Sequence, residues 1–577
     1  MDKNIYIVKS KEIFDAIVVG SGISGGWAAK ELTEKGLKTL MVERGRPVEH
    51  RKDYVGEGIK PWQMPFRGKV ESAIVDEQHY VQQKCYAFND ATKHFFGNDK
   101  DYPYSTPKDK PFDWIRGNQL GGKSLLWHRQ SYRWSEHDFT ANARDGHGVD
   151  WPIRYKDIEK WYDHVELHAG ISGSVENLDI LPDSKFLPPF EMNAVEKEMK
   201  ARIEKKWKTR KLIMGRCAHL SVPAPHHIAQ GRIQCQTRNE CQKGCSFGAY
   251  FSTQSSTLPS ALATNNLSIA TNSIVHSVIY DPKTNRATGV RVIDAETMET
   301  REYFAKVIFL CASTLGTTQI MLNSVSESFP TGIANSSGAL GHYLMDHLYG
   351  AGASGRVEGF TDEYYSGRRP TGLVMPRFTN YTEMNPNFLR GYQLTGSAQR
   401  QGWDNFTQAD GFGADYKHNI RNAGSWIFNL GGSGEMLPRY ENQVSLHPTL
   451  KDKWGMPQLH IECELTENDW KMFENIADTA AEILEGIGVK DVKKRIEAKN
   501  GWAPGLAIHE MGTARMGKDP KTSVLNGWNQ THDIPNLFVT DGASMSSCAS
   551  QNPSLTYMAL TARAADYAVQ QLKLGKI

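Results

Sequence analysis

The chain has 577 residues, with 67 lysines and arginines against 65 aspartates and glutamates, and a formal net charge of +2. This length exceeds that of one typical domain of ~150 residues, and the balanced charge gives no support for a nucleic-acid partner. No stretch reaches the ~20 apolar residues of a membrane-spanning helix. Residues 1–11 are polar and lack the apolar core of a signal peptide, so we expect no leader of the chain's own.

One segment near the N-terminus has the pattern of a dinucleotide-binding βαβ unit. An apolar stretch runs into Gly20, Gly22 and Gly25, which predict a tight turn, a backbone approach to a pyrophosphate and a close helix–strand contact. A helix-compatible stretch follows, and a second apolar stretch ends at Glu43, 23 residues after Gly20. The carboxylate at this position is suited to accept hydrogen bonds from both ribose hydroxyls. The segment predicts a dinucleotide site and leaves NAD and FAD open.

The rest of the chain alternates between helical and strand patterns. Amphipathic periodicity typical of helices is found over residues 191–208 and 467–487. Apolar runs typical of strands are found within residues 267–293, over residues 306–312 and from residue 536. Residues 350–465 mix short apolar stretches, aromatics and glycines, which is typical of an antiparallel sheet with one exposed face.

This order of elements predicts an α/β fold, α+β overall, with two domains and a connecting segment. A Rossmann-like nucleotide-binding domain is expected to be discontinuous, built from residues 1–170, 251–335 and 500–577. A loop-rich segment over residues 171–250 contains a cluster of cysteines. A substrate-binding domain around the antiparallel sheet is expected over residues 336–499.

Two residues near the C-terminus have side chains suited to alcohol oxidation. Asn552 follows His509 by 43 residues, just after the strand pattern that begins at residue 536. Oxidation of an alcohol by a flavin needs a base for the hydroxyl proton while hydride leaves the carbon. A neutral imidazole can serve as this base, and an amide can hydrogen-bond the same oxygen. The sequence alone does not place His509 beside Asn552, and most of the 19 histidines are interpreted as core or surface residues.

Five segments, in order, resemble the signatures of glucose–methanol–choline (GMC) oxidoreductases. The segments begin at Gly20, Gly117, Val307, Leu340 and His509. The resemblance extends over most of the chain and implies that the dinucleotide is FAD. It also implies that His509 is the catalytic base and that Asn552 is its hydrogen-bonding partner.

The same resemblance assigns further residues to the FAD site. In the second signature these are Gly121, Gly122 and Ser124. Val275 matches the position whose backbone meets the adenine, and Asp541 and Gly542 are expected near the ribityl chain and pyrophosphate.

One departure from the family pattern concerns how the FAD is attached. Some members attach it covalently through a histidine four residues after the Gly-Gly of the second signature. This chain has Leu126 there, and His128 lies two residues further on. We therefore expect FAD to be bound non-covalently.

Three of the eight cysteines, Cys235, Cys241 and Cys245, fall within eleven residues. Three converging thiolates can hold an iron–sulfur cluster or zinc. Zinc would need a fourth ligand, for which the candidates are Cys217, His226 and His227. The alternatives are unligated thiols, or a disulfide with one thiol left over. The pattern resembles the iron–sulfur segment in large subunits of bacterial sugar dehydrogenases of the GMC family, which implies a 3Fe-4S cluster.

Together these patterns predict an FAD-dependent dehydrogenase that oxidises a secondary hydroxyl of a pyranose or glycoside. C3 oxidation to a 3-keto sugar, as in a glucoside 3-dehydrogenase, is favoured. Hydride is expected to pass to FAD N5, and electrons to leave through the cluster to a cytochrome or another external acceptor. The alternatives are an oxygen-dependent sugar or alcohol oxidase of the same family, and a non-catalytic flavin-binding subunit of a redox complex.

The resemblance also implies partners and a compartment. Large subunits of this type often bind a small subunit that carries the export signal, as well as a cytochrome. We therefore expect a periplasmic location reached through such a partner, with the cytoplasm as the alternative.

Overall fold

The computed structural model describes residues 13–363, 367, 369–401, 412–419 and 424–577. The N-terminal residues on which the expectation of no signal peptide rests lie outside these ranges, as does the start of the predicted nucleotide-binding domain. Among the described helices, none has the length and apolar character needed to cross a membrane.

The strands and helices of the described residues are numbered in chain order. The strands are β1 (Ile13–Val19), β2 (Thr39–Val42), β3 (Ile213–Met214), β4 (Leu267–Ala270), β5 (Ser273–Asp281), β6 (Arg286–Asp294), β7 (Thr300–Leu310), β8 (His347–Val357), β9 (Leu373–Met375), β10 (Tyr392–Arg400), β11 (Trp426–Glu435), β12 (Gln443–Lys451), β13 (Pro457–Glu462), β14 (Lys490–Ile496) and β15 (Leu537–Val539). The helices are α1 (Ile23–Glu34), α2 (Ser72–Gln78), α3 (Glu136–Phe139), α4 (Ala141–Asp145), α5 (Tyr155–Ala169), α6 (Ala194–Lys206), α7 (Pro225–Ala229), α8 (Leu258–Ala263), α9 (Thr314–Asn323), α10 (Gly413–Asn419), α11 (Glu467–Gly486) and α12 (Ser554–Lys573).

The first sheet is mostly parallel. Its strand order is β4-β2-β1-β7-β6-β5, and β15 pairs with β7. Strands β4, β2, β1, β7 and β15 run parallel to one another, whereas β5 and β6 are antiparallel additions. Residues 16–19 of β1 are all buried, as expected for a parallel strand covered on both faces. Ligands of such sheets bind at the carboxyl ends of the strands, where the turn from β1 into α1 lies.

The second large sheet is antiparallel, with the strand order β14-β8-β11-β10-β9-β3. Helix α11 packs on it through an apolar face that includes Phe473, Ile476 and Leu484. The helix begins where the Thr466 side chain accepts a hydrogen bond from the backbone N–H of Asp469, an N-terminal cap. The remaining pair, β12 and β13, forms a separate two-stranded sheet.

The predicted α/β fold class, with its parallel and antiparallel sheets, is confirmed. The parallel strands come from three distant parts of the chain, residues 13–42, 267–310 and 537–539. The loop-rich segment over residues 171–250 also contains α6, β3 and α7. The division into domains at the stated boundaries stays a prediction.

Candidate active site

A cavity of about 1050 Å³ begins at the carboxyl edge of the parallel sheet and extends to the antiparallel sheet. This volume slightly exceeds the range of about 300–1,000 Å³ that is typical of small-molecule sites. Residues from four of the five sequence signatures line it, among them Gly22, Gly122, Ala312 and His509. The fold therefore gathers these separated signatures around one space.

The glycine turn between β1 and α1 leaves an open cradle in this cavity. A Cβ atom at Gly25 would lie 1.9 Å from the Gly20 carbonyl oxygen, and one at Gly20, where φ is +92°, would lie 2.5 Å from the Cys311 carbonyl oxygen. A Cβ atom at Gly22 would meet no protein atom within 4 Å. Gly20 and Gly25 thus close the turn, whereas Gly22 leaves room for a ligand at the N-terminus of α1. This arrangement suits a pyrophosphate.

The second signature is joined to this turn. The Gly121 backbone N–H donates to Ser21 Oγ at 2.8 Å, and a Cβ atom at Gly122 would lie 3.4 Å from the Gly22 Cα. Ser124 Oγ donates to the Gly121 carbonyl at 2.6 Å. Gly122 and Ser124 line the cavity, and Gly121 lies behind them. Ser124 and Gly121 therefore hold the loop in shape, and Gly122 faces the ligand space.

The other residues predicted to bind FAD also line the cavity: Glu43, Val275, Asp541 and Gly542. Burial raises the pKa of the Glu43 carboxyl and raises the pKa of Asp541 to about 6. Asp541 accepts hydrogen bonds from Thr317 Oγ1 at 2.5 Å and from the Ala543 backbone N–H at 3.0 Å. The cradle at Gly22 and these four lining residues fit an extended dinucleotide.

His509 and Asn552 meet in the same cavity. His509 Nε2 and Asn552 Nδ2 are 3.2 Å apart, although 43 residues separate them in the chain. Burial lowers the pKa of His509 well below its ordinary value of 6.5, and the nearby His347 and Lys123 lower it further. The imidazole is therefore neutral at physiological pH and has the protonation state of a base.

The loop that carries His509 is held by a buried carboxylate. Asp346 accepts hydrogen bonds from the backbone N–H groups of Gly505 at 2.7 Å, Ala507 at 3.2 Å and His509 at 3.0 Å. Ile508, within this loop, has a φ of +62°, which is unfavourable for a β-branched residue. Such strain persists where the surroundings over-determine the backbone, as the three hydrogen bonds to Asp346 do here.

The sequence interpretation missed several residues around His509. They are Asp346, His347, Lys123 and Glu510. Lys123 and Glu510 form an ion pair, with Nζ 2.9 Å from Oε2, at the wall of the cavity. The sequence contains a signal for two of them. The family-like segment that begins at Leu340 ends in Asp346 and His347, to which the sequence interpretation assigns no role.

The two residues relevant to covalent attachment, Leu126 and His128, both lie at the wall of the cavity. Leu126 also belongs to an apolar cluster with Phe95 and Leu125. Non-covalent FAD stays a prediction.

The three clustered cysteines are neighbours but do not form a metal-binding group. Within the described ranges, no three His, Cys, Asp or Glu side chains are arranged to hold a metal ion. Burial, with Cys241 and Cys245 nearby, raises the pKa of Cys235 to about 12. This arrangement gives the cluster no support, and the 3Fe-4S cluster stays a prediction from the sequence pattern. The loop nevertheless reaches the cavity, which Asn239 and Gln242 line.

Of the alternatives for these cysteines, the structure matches unligated thiols and not a disulfide. All eight cysteines of the chain lie in its described part, and each is a free thiol. The Nε2 atoms of His226 and His227, two candidate zinc ligands, lie 2.9 and 3.1 Å from the Leu167 carbonyl oxygen. Cys241 Sγ has a different histidine nearby, His219, with Nε2 at 3.6 Å.

Comparison with known proteins identifies the family. The profile of GMC oxidoreductases matches residues 14–349, and a second profile of that family matches residues 438–561. The chain belongs to the GMC oxidoreductase family. It is therefore an FAD-dependent enzyme that acts on the CH–OH group of an alcohol or sugar.

Individual proteins resemble the chain over nearly its full length. The 2-methyl-1,2-propanediol dehydrogenase of Mycolicibacterium austroafricanum is 28% identical, over 96% of this chain and 94% of its own. The fructose dehydrogenase large subunit of Gluconobacter japonicus is 26% identical, over 97% of this chain and 98% of its own. A variant of Aspergillus oryzae RIB40 formate oxidase shares the fold, with a TM-score of 0.60 over 99% of this chain and 100% of its own at 15% identity.

Proposed function

We propose that this GMC oxidoreductase is a dehydrogenase that oxidises a secondary hydroxyl of a pyranose or glycoside and passes the electrons to an external acceptor. The observation that supports it most strongly is the 3.2 Å approach of His509 to Asn552 in the cavity that contains the glycine cradle. Oxidation at C3 is the favoured specialisation, and it rests on overall resemblance to glucoside 3-dehydrogenases.

His509 and Asn552 divide the work on the substrate hydroxyl. His509 Nε2 accepts the hydroxyl proton, and Asn552 Nδ2 donates a hydrogen bond to the same oxygen as negative charge develops there. When bound, FAD supplies the two-electron acceptor for the hydride that leaves the carbinol carbon. The low pKa of His509 keeps the imidazole ready to accept a proton. Asp346 fixes the position of the ring through the backbone of its loop.

The residues Gly22, Gly122, Glu43 and Asp541 would hold the dinucleotide. Gly22 offers the pyrophosphate an approach free of side-chain atoms, and the N–H groups of the first turn of α1 favour its negative charge. Three protein N–H and O–H groups already donate to Glu43, which leaves about one of the ~four acceptor sites of its carboxylate for a ribose hydroxyl. Held there, the dinucleotide would supply its redox chemistry in the cavity that His509 lines.

The proposal of a dehydrogenase rather than an oxidase depends on the cysteine loop. Cys235, Cys241 and Cys245 have a spacing that resembles iron–sulfur segments, and their loop borders the cavity. A one-electron relay is useful to an enzyme that reduces a cytochrome, and an oxidase that reduces oxygen does not need one. The 3Fe-4S cluster therefore stays part of the proposal, on the strength of the sequence.

Partner subunits are proposed on the same basis. The name of the Gluconobacter japonicus relative describes it as a large subunit, and it matches this chain over nearly its full length. We infer a small subunit that supplies the export signal, a cytochrome acceptor and hence a periplasmic location, with the cytoplasm as the alternative.

An anaerobic titration of the purified protein with a panel of sugars and glycosides tests the proposal. We expect bleaching of the flavin absorbance by a pyranose or glycoside, and a 3-keto product detectable by NMR. Equally fast reoxidation by oxygen and by artificial one-electron acceptors, with peroxide formed in stoichiometric amounts, would favour the oxidase alternative. No bleaching by any member of the panel would favour the non-catalytic subunit.

Iron and acid-labile sulfide analysis tests the cluster separately. We expect both in wild-type protein and their loss in Cys241→Ser, with flavin reduction by sugar retained and transfer to a cytochrome impaired. Cys463→Ser is the matched control, because Cys463 is a buried thiol that belongs to the main hydrophobic core. Wild-type protein without iron or sulfide would refute the cluster.

A further inference from the structure

A second histidine lies behind His509, on the side away from Asn552. His347 Nδ1 is 2.9 Å from His509 Nδ1, and the two rings meet edge to face, with an angle of 82° between their planes. His347 Nε2 is 2.5 Å from the Ala549 carbonyl oxygen. His347 is only 1% exposed. The hydrogen bonds thus form one continuous series, which runs from the Ala549 carbonyl through His347 and His509 to Asn552.

The Ala549 carbonyl at one end of this series fixes the direction of every hydrogen bond in it. A carbonyl oxygen only accepts, so His347 must carry its proton on Nε2. Burial lowers the pKa of His347 to about 4, so the ring is neutral and its Nδ1 has a lone pair. His509 must then donate from Nδ1 to His347 Nδ1. Since His509 is also neutral, its Nε2 is left as the acceptor that faces Asn552.

We propose that His347 is a positioning residue that fixes the tautomer of His509, leaving the lone pair of His509 Nε2 directed toward the substrate hydroxyl. This inference rests on the proposed role of His509 as the base. The opposite tautomer of His509 would set two nitrogen lone pairs against each other at 2.9 Å. Reversing the whole series would require His347 to give up its hydrogen bond to Ala549.

The charges around the pair support the neutral forms of both rings. Lys123 of the second signature, which is paired with Glu510, lies near His509, and its positive charge disfavours an imidazolium. Asp346, adjacent in sequence, directs its carboxylate to the backbone N–H groups of the 505–509 loop rather than to either ring. The tautomer is therefore set by the Ala549 carbonyl acting through His347, and not by a carboxylate.

Two substitutions separate this role from simple packing. His347→Asn retains an acceptor oxygen near the position of Nδ1, whereas His347→Leu fills the space without any acceptor. In His347→Leu, a buried Nδ1–H of His509 would lack a partner, so the other tautomer is favoured. We expect flavin reduction by substrate to slow about 10- to 100-fold in His347→Leu and far less in His347→Asn, with KM little changed.

The tautomer itself can be read by ¹⁵N NMR of the FAD-loaded protein labelled at its histidines. The His509 signals are assigned by their loss in His509→Asn, and His226→Gln, at an exposed histidine, is the control. We expect wild type and His347→Asn to show a protonated Nδ1 and an unprotonated Nε2 at His509, and His347→Leu to lose this pattern. An unchanged tautomer in His347→Leu would overturn the proposal, as would an Nε2–H tautomer in wild type.

The two measurements keep two kinds of failure apart. If no sugar or alcohol reduces the flavin, the proposed function fails while the NMR pattern still decides the role of His347. If the flavin is reduced but His347→Asn and His347→Leu slow the reaction equally, the role of His347 is refuted and the proposed function stands.

Discussion

Ser21 and Glu43 are joined by two hydrogen bonds. The Ser21 hydroxyl and backbone N–H donate to Glu43 Oε2 at 2.5 and 3.1 Å, and the Gly45 N–H donates to Oε1 at 2.9 Å. Since Ser21 Oγ also accepts from Gly121, this contact links both FAD signatures to the residue proposed to bind the ribose. The end of β2 is thereby fixed against the glycine turn before any ligand arrives.

Glu43→Gln should weaken FAD binding while the protein stays folded. The amide has the size of the carboxylate but only one acceptor oxygen, and hydrogen bonds to a charged group contribute about 1.5–3 kcal/mol each. We expect the Kd of FAD to rise at least about tenfold. Calorimetric titration of the apoprotein measures it, with Glu34→Gln on α1 as the control. An unchanged Kd would remove Glu43 from the FAD site.

Gly22→Ala and Gly25→Ala should fail in different ways. The backbone at Gly22 has a φ of −65°, which alanine adopts, and the added methyl group would meet no protein atom within 4 Å. We expect Gly22→Ala to fold normally and retain little FAD. In Gly25→Ala the methyl group would lie 1.9 Å from the Gly20 carbonyl oxygen, so the apoprotein itself should be destabilised. Thermal melts and flavin content distinguish the two. Normal FAD content in Gly22→Ala would contradict the cradle.

Much of this local architecture could be predicted from the sequence. Strand β2 ends at Val42, one residue before the Glu43 at which the predicted apolar stretch ends, and α11 ends one residue before its predicted end. Apolar periodicity and an N-terminal cap are local signals. The glycines at positions 20, 22 and 25 likewise indicate a tight turn from the local sequence alone. Contacts between distant segments have no such signal. Asp346 and the loop it holds are about 160 residues apart, and only the fold brings them together.

The site was predictable only where it resembled a known pattern. His509 and Asn552 were paired through family resemblance, and their contact was then found in the structure. The hydrogen-bond partners of His509 were missed because neither burial nor ring orientation can be read from a lone histidine. The cysteine spacing predicts a cluster, but spacing does not fix how loop side chains point. The described residues show no metal-binding group there, so the cluster stays a prediction.

Asp346→Ala should destabilise the protein and slow catalysis together. The substitution leaves three loop N–H groups without their acceptor. Each unsatisfied group costs about 1–3 kcal/mol, and water that enters the space recovers part of this cost. We therefore expect the free energy of unfolding to fall by about 3 kcal/mol. Asp346→Asn retains one acceptor oxygen and should lose less. Urea denaturation measures the free energy of unfolding of Asp346→Ala and Asp346→Asn. The control is Asp478→Ala, which removes a surface ion pair. Equal stability of Asp346→Ala and this control would contradict the account.

The reductive half-reaction should be insensitive to pH in the neutral range. The base must be unprotonated, and the pKa of His509 lies well below 6.5 in the folded protein. Its protonation, and the fall in rate that follows, therefore begin only at acidic pH. We expect kcat/KM to stay constant between about pH 6 and 8, since this parameter reports the ionisation of the free enzyme. Burial raises the pKa of Asp346, which holds the His509 loop, to about 7, so Asp346→Asn is measured alongside the wild type. A half-maximal rate near pH 6.5 in both proteins would show that the site does not lower the pKa of its base.

The most direct test of the account is stopped-flow measurement of flavin reduction under anaerobic conditions in wild type and in His509→Ala. FAD content is measured in the same samples, so that loss of cofactor is not mistaken for loss of the base. We predict that His509→Ala keeps its FAD and that its reduction by substrate slows by about 10²- to 10⁴-fold. Reduction at close to the wild-type rate in the FAD-loaded variant would contradict the assignment of His509 as the base.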